Sequence, residues 1–321
     1  MTAAFRQLLA PLLMPVMQAP MFLVSGTAMV IAAGRAGILG SFPTQNARTP
    51  EVLDDWLHQI TDALGRTPGI ALPWAANLIV HPSYTRRDSD LALLERWRAP
   101  LIITALGSPA PVVARAHSWG GLVFADVTTP ALARKALRAG VDGLVLVCAG
   151  AGGHTGQLSP FAFVDAVRQF WDGPLILGGG IGSGAGIRAV QALGVDLAYL
   201  GTRFLATRES LAVDDYKQML VAAGIGDIVC SDAITGVPAN WLRASLQRAG
   251  HDPDHMPSAA TIDVSAGLEA KRWRDIWSAG QAVCTVPHIE TLAEAVDMLY
   301  AQWLPQQPAH ETNANAARAA A

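Results

Sequence analysis

The chain is predicted to be an α/β protein, a (β/α)8 TIM barrel with a small helical lobe inserted after strand 8, and three observations predict it. Eight short, continuous apolar runs lie near residues 17, 38, 77, 102, 122, 145, 176 and 198, the form that parallel strands buried on both faces take. One helix-to-strand join occurs twice, as Ala139-Gly140-Val141-Asp142 and Leu193-Gly194-Val195-Asp196, which marks a repeated βα unit. The later strands end in glycine-rich turns, at the barrel end where chemistry gathers.

Taken in order, Val16-Met17-Gln18-Ala19 is the first buried strand, and Ser25 is expected to cap a helix through Ala33. The longer gap between strands 2 and 3 is filled by a capped amphipathic helix: Thr49-Pro50-Glu51, then Leu53, Trp56, Leu57 and Ile60 on one face. Strand 5 reads Val123-Phe124-Ala125-Asp126, and a helix opens near Thr129-Pro130. Strand 6 runs from Val145 to Cys148, strand 7 is Pro174 to Leu177, and strand 8 is Leu197 to Leu200. Past Arg208 the pattern turns to helices without strands, from Leu211 to about Gly280, with Trp241, Trp273 and Trp277 as apolar anchors. Ile289 to Trp303 is an amphipathic closing helix, and the Ala-, Asn- and Gln-rich tail from Pro305 is expected to be disordered. The resulting division is a barrel of residues 1–208 plus 281–304, a helical substrate-side lobe of 209–280, and a tail of 305–321.

Composition narrows the function. Of 321 residues, 15% are charged and 51% apolar, so an unusual share of the chain faces an interior. The net charge of −3 comes without a basic block, which argues against nucleic acid, since backbone binding needs clustered Lys and Arg. Cys148, Cys230 and Cys284 are odd in number and far apart; they propose neither disulfides nor a zinc site, and a cytoplasmic setting follows. The uncharged stretch between Arg6 and Arg35 is interrupted by Pro11, Pro15, Gln18, Pro20 and Gly26, so neither a membrane span nor an export signal is expected. No Gly-x-Ser-x-Gly elbow suggests a hydrolase.

The chemistry centres on residues 145–157, where an apolar strand discharges into Gly150, Gly152 and Gly153 and presents one imidazole, His154. Glycines leave backbone room for a flat ligand, and His154 is the one nearby group that titrates near neutral pH. After strand 7, Gly178 to Gly180 and Ser183 expose backbone N–H groups at a helix start, where phosphate binds well. Gly201-Thr202 after strand 8 can close on the same phosphate, as in many barrels. A dinucleotide fold is disfavoured: the glycines come late, and no acid ends the following strand, which finishes in Gly201. Asp126 either caps the helix that follows it or touches a cofactor.

The chain resembles the nitronate monooxygenase family, formerly called 2-nitropropane dioxygenases, among FMN-dependent (β/α)8 enzymes. The resemblance rests on Gln18-Ala19-Pro20-Met21, Asn77-Leu78, Gly152-Gly153-His154-Thr155-Gly156, Gly179-Gly180-Ile181, Gly201-Thr202-Arg203-Phe204-Leu205 and Trp277-Ser278-Ala279-Gly280-Gln281. It implies FMN across the barrel mouth, its phosphate on Gly179-Gly180 and Gly201-Thr202. Ala19, Pro20 and Met21 would line the ring, Asn77 would bond a ring or ribitol atom, and Gly152, Gly153 and Gln157 would complete the cofactor site with Asp126. Some relatives place a lysine or another hydrogen-bonding residue at the end of strand 5, where Asp126 stands here. His154 would serve as the acid/base residue, or hold the substrate as a hydrogen-bond donor, while an alkyl nitronate reacts with O2 to give a carbonyl compound and nitrite. Two alternatives share the barrel: an NAD(P)H-dependent flavin reductase acting on a quinone or an enoyl thioester, and a flavin-binding barrel without catalysis. No metal and no membrane or nucleic-acid partner is expected, and the protein would be a monomer or homodimer.

Overall fold

The computed structural model describes residues 2–65, 71–258 and 273–304. Eight parallel strands form one sheet: β1 (Val16–Gln18), β2 (Gly40–Pro43), β3 (Trp74–Ile79), β4 (Leu101–Ala105), β5 (Leu122–Val127), β6 (Gly143–Val147), β8 (Leu175–Gly178) and β9 (Leu197–Leu200). A two-residue strand, β7 (Gly153–His154), lies outside the barrel. β1 pairs with β9 in register Met17 with Tyr199, and the ring closes where Met17 meets Leu39 and the Gln18 N–H donates to the Leu39 carbonyl at 2.8 Å. All eight expected strands are present; the second begins at Gly40 rather than near residue 38, because Leu39 is taken up in the closing bridge.

Side chains alternate across each strand, and that alternation sorts the core into two layers. Val123, Ala125 and Val127 of β5 face the helices, whereas Leu122 and Phe124 join Met17, Ala75, Leu101, Ile103, Val145, Ile176 and Leu197 inside the barrel. The lower end is plugged by α1 (Ala3–Leu9), whose fully buried Phe5 packs on Phe124 with ring centroids 5.1 Å apart. The apolar N-terminal run therefore belongs to the barrel's inner core.

The repeated joins work alike. Gly140 and Gly194 take positive φ of 88° and 73°, and Asp142 and Asp196 each accept a backbone N–H at 2.8 Å, from Val123 and Leu175. The long gap holds α3 (Pro50–Gly65), with Leu53, Leu57 and Ile60 buried and Thr49 accepting the Val52 N–H. The last helix, α12 (Leu292–Trp303), starts three residues later than expected, at a capping box made by Thr291 and Glu294. Two expectations are corrected. Ser25 does not cap its helix: α2 (Thr27–Arg35) begins after Gly26, and the Ser25 hydroxyl instead accepts from Gln18 and the Met21 N–H inside the first loop. Nor is the segment after Arg208 free of strands. β10 (Ile228–Ser231) and β11 (Ala239–Leu242) pair antiparallel there, and β11 also pairs with β7. The chain within 209–280 also supplies α10 (Asp214–Ala222) and α11 (Arg243–Arg248), so this segment is mixed rather than helical; residues 259–272, and residues 305–321 where a disordered tail is expected, lie outside the described residues.

Candidate active site

The inward alternation that fills the lower barrel also builds the floor of a cavity at its upper end. Beyond Phe124 comes Asp126, beyond Ala75 comes Asn77, beyond Val145 comes Val147 and beyond Leu197 comes Tyr199. These floor residues line a cavity of about 970 Å³, at the upper end of the roughly 300–1,000 Å³ typical of small-molecule sites. The cavity brings together every sequence-predicted site residue: Ala19, Pro20, Met21, Asn77, Asp126, Gly152, Gly153, His154, Gln157, Gly179, Gly180, Gly201 and Thr202.

One wall is the loop after β1. Gln18 is fully buried; its amide oxygen accepts the Ser41 N–H at 2.9 Å and its Nε2 donates to Ser25. Asn46 donates to the Met21 and Ser25 carbonyls and accepts the Leu23 N–H, so Pro20 and Met21 stand on a hydrogen-bonded frame. Leu23 and Leu106, both lining the cavity, are two of the three non-glycine residues at positive φ among the described residues (62° and 58°), conformations that persist only where surroundings enforce them.

The opposite wall carries the glycine turns. Gly179 and Gly180 have φ of 140° and 69°, and a Cβ on Gly179 would stand 2.7 Å from the Ala149 carbonyl oxygen, so a side chain is excluded on both grounds. Ser183 caps α8 (Gly184–Ala192) by accepting the Gly186 N–H at 3.2 Å, as expected. Thr202 accepts the Gly280 N–H at 2.8 Å, which ties the eighth strand's turn to the returning chain. Gly152 serves that return segment as well, since a Cβ there would lie 2.7 Å from the Gly280 nitrogen.

His154 sits on a strand rather than a free loop. It pairs with Ala239, the Thr155 N–H donates to Pro238, Thr155 Oγ1 to Cys148, and Asn240 Nδ2 to the Ala151 carbonyl at 2.7 Å. The glycines are thus clamped on both sides. His154 Nε2 is sealed from solvent without a partner, and burial pushes the imidazole down to about 4, so it is neutral at physiological pH. Trp273 and Trp277 line the cavity, whereas Trp241 is wholly buried behind them. Cys148 is buried and pushed up to about 12, which makes it no nucleophile.

Asp126 does not cap the next helix. Thr129 does, accepting the Leu132 N–H, and Asp126 instead faces the cavity, where its Oδ2 lies 3.4 Å from Asn77 Nδ2 and its Oδ1 has no partner. Burial pushes it up to about 7, with the Asn77 contact opposing. Sequence reasoning missed Tyr199 as a site residue, although its place two residues after inward Leu197 was the available signal. Asn240 carried no signal at all, because its role depends on pairing between distant strands.

A closed barrel with polar groups converging over the C-terminal ends of its strands defines a (β/α)8 enzyme whose site is built by loops. The chain belongs to the nitronate monooxygenase family, whose model matches residues 5–282, and is an oxidoreductase. It is 29% identical over 295 residues to the nitronate monooxygenase of Paraburkholderia phytofirmans, covering 78% of this chain and 79% of that one. It is 25% identical over 274 residues to a (3aS,4S,5R,7aS)-5-hydroxy-7a-methyl-1-oxo-octahydro-1H-indene-4-carboxyl-CoA dehydrogenase of Rhodococcus jostii, covering 84% and 75%. Among solved structures, nitroalkane oxidase from Streptomyces ansochromogenes superposes with a TM-score of 0.78 at 25% identity, over 99% of this chain and all of that one. No helix among the described residues is long and apolar enough to cross a membrane, and no cluster of His, Cys, Asp or Glu there is arranged to hold a metal.

Proposed function

We propose that the protein is an FMN-dependent nitronate monooxygenase that converts alkyl nitronates, and nitroalkanes after loss of their α-proton, with O2 to carbonyl compounds and nitrite. The observation that carries this reading is the single cavity at the strand ends, which the two glycine turns and the neutral His154 line together. The residues present fit the cofactor. Gly179, Gly180, Gly201 and Thr202 offer backbone N–H groups at two adjacent strand ends for a phosphate. The floor below offers unpartnered polar atoms of Asp126 and Tyr199, and Ala19, Pro20 and Met21 supply an edge for a planar ring. When bound, FMN supplies the electron transfer that lets the substrate react with O2.

The protein's own contribution is positioning and proton handling. A neutral imidazole carries one unprotonated ring nitrogen, so His154 takes the α-proton of a nitroalkane bound beside it. Trp273 packs edge-on against it and excludes water on that side. The test is an absorption spectrum of the purified protein followed by oxygen uptake with ethyl- and propyl-nitronate. His154→Asn should depress turnover of nitroalkanes far more than that of preformed nitronates; equal, negligible losses would remove His154 from catalysis.

A second reading, an NAD(P)H-dependent reductase of an acyl thioester, is favoured by one observation. Leu106, Leu132, Leu211 and Val213 are exposed large apolar side chains that line this same cavity, more apolar surface than a short nitronate covers. Anaerobic NADH separates the two: rapid bleaching of the bound flavin supports the reductase, and oxygen uptake with nitronate in the absence of pyridine nucleotide supports the monooxygenase.

A further inference from the structure

Asp126 Oδ1 and the Tyr199 hydroxyl are both sealed from solvent on the cavity floor, and neither has a hydrogen-bond partner. They come from β5 and β9, and they are near enough that the carboxylate's charge helps to raise the phenol, after burial. What surrounds them is neutral. Asn77 from β3 touches Asp126 at 3.4 Å, while β4, β6 and β8 contribute Ala105, Val147 and Gly178 to the same floor. No arginine or lysine is among the groups that act on the carboxyl, for which burial dominates.

A buried carboxylate without a cation is costly to keep ionised, so the carboxyl holds its proton up to about pH 7 and is a donor below that point. The buried phenol is likewise a donor. Two donors fixed on one floor and lacking acceptors call for a ligand edge rich in carbonyl oxygens and unprotonated ring nitrogens. We propose that Asp126 and Tyr199 form a paired hydrogen-bond donor site for the acceptor edge of the planar ring bound at the barrel mouth. The inference rests on the flavin reading above and deepens it.

Its signature is proton uptake on binding. If the ring is held by the protonated carboxyl, raising the pH above the point where that carboxyl titrates weakens binding by up to about tenfold per pH unit. The other titratable groups lining the cavity stay constant through the window of pH 7.5 to 9. His154 is already neutral, Tyr216 is pushed up to about 12, and Asp275 raises Arg274 further. The phosphate of FMN, with a second ionisation near pH 6, is by then dianionic.

The experiment measures FMN affinity by fluorescence on flavin-stripped protein across that window, for wild type, Asp126→Asn and Tyr199→Phe. Wild type should weaken progressively with pH. Asp126→Asn, whose amide donates at every pH, should be flat, and Tyr199→Phe should be several-fold weaker at each pH with the slope retained. Independently of flavin, the stripped wild type should show an infrared carboxylic-acid band that titrates near neutrality and is absent in Asp126→Asn, with circular dichroism reporting that each variant is folded. A pH-independent wild-type affinity, an unchanged slope in Asp126→Asn, or no such band overturns the donor pair while leaving the flavin reading intact. Failure of wild type to bind FMN at any pH overturns both.

Discussion

The imidazole of His154 meets the indole of Trp273 edge-on, with ring centroids 5.3 Å apart and planes at 86°, and Trp273 in turn stacks on buried Trp241 at 4.5 Å. The orientation of the proposed proton acceptor is therefore set by the segment that follows the eighth barrel strand rather than by the strand ends that carry the glycine turns. Aromatic contacts of this kind contribute about 0.5–1.5 kcal/mol, enough to hold a ring in one rotamer.

Trp273→Ala should accordingly lower kcat with nitroalkanes by roughly 2- to 10-fold, the rate equivalent of that contact energy, while FMN affinity stays near wild type. Steady-state oxygen uptake and a flavin titration read the two quantities separately. Loss of FMN binding with kcat unchanged would show that Trp273 supports the cofactor and not the histidine.

The depressed titration of His154 fixes the expected pH profile. Burial lowers it from 6.5 to about 4, so the neutral form persists down to mildly acidic pH. The kcat/KM for a nitroalkane should show no loss attributable to His154 between pH 8 and about 5, and should fall on approaching pH 4. A rise in rate as pH falls through 6.5 would mean that the imidazolium is the working species and that the site is wetter than its geometry indicates.

These features differ in how far they could be read from residue order. The eight strands were legible because a buried parallel strand announces itself locally, as an apolar run such as Leu144–Val147, and the glycine turns because positive φ after a strand calls for glycine. The small sheet was not. Ile228–Ser231 is bracketed by polar turns and pairs with Ala239–Leu242, whose partner on the other side is the two-residue Gly153–His154, a length no periodicity reveals. Ser25 was misjudged for a related reason: its hydroxyl serves the Gln18 and Met21 loop, a tertiary demand that outranks a capping preference.

Just past the Gly201-Thr202 turn, Arg203 and Glu290 form an ion pair in which both side chains are only 2% exposed. Removing one partner of such a pair strands the other charge, which costs about 3–5 kcal/mol. Glu290→Ala should therefore lower the urea midpoint sharply, whereas the protein that remains folded keeps its KM, since Glu290 does not line the cavity. A stability change below about 1 kcal/mol would mean that water or His288, whose Nε2 lies 3.7 Å from Glu290, already compensates the charges.

Asp126 provides the opposite kind of test, because its cost to the fold appears only when it ionises. Its carboxyl is raised from 3.8 to about 7 in the folded chain, so the folded state binds that proton more tightly than the unfolded one. The associated stability is fully present below about pH 4, is lost as pH rises through about 7, and changes no further above it. Asp126→Asn removes the titration and should be the more stable protein at pH 8 by a margin absent at pH 4, on the order of a few kcal/mol. Urea midpoints of flavin-stripped wild type and variant at the two pH values measure it, and their difference cancels every other titrating group. A margin that does not grow with pH would mean that the floor of the barrel solvates the carboxylate, and that the position tolerates charge as readily as an amide.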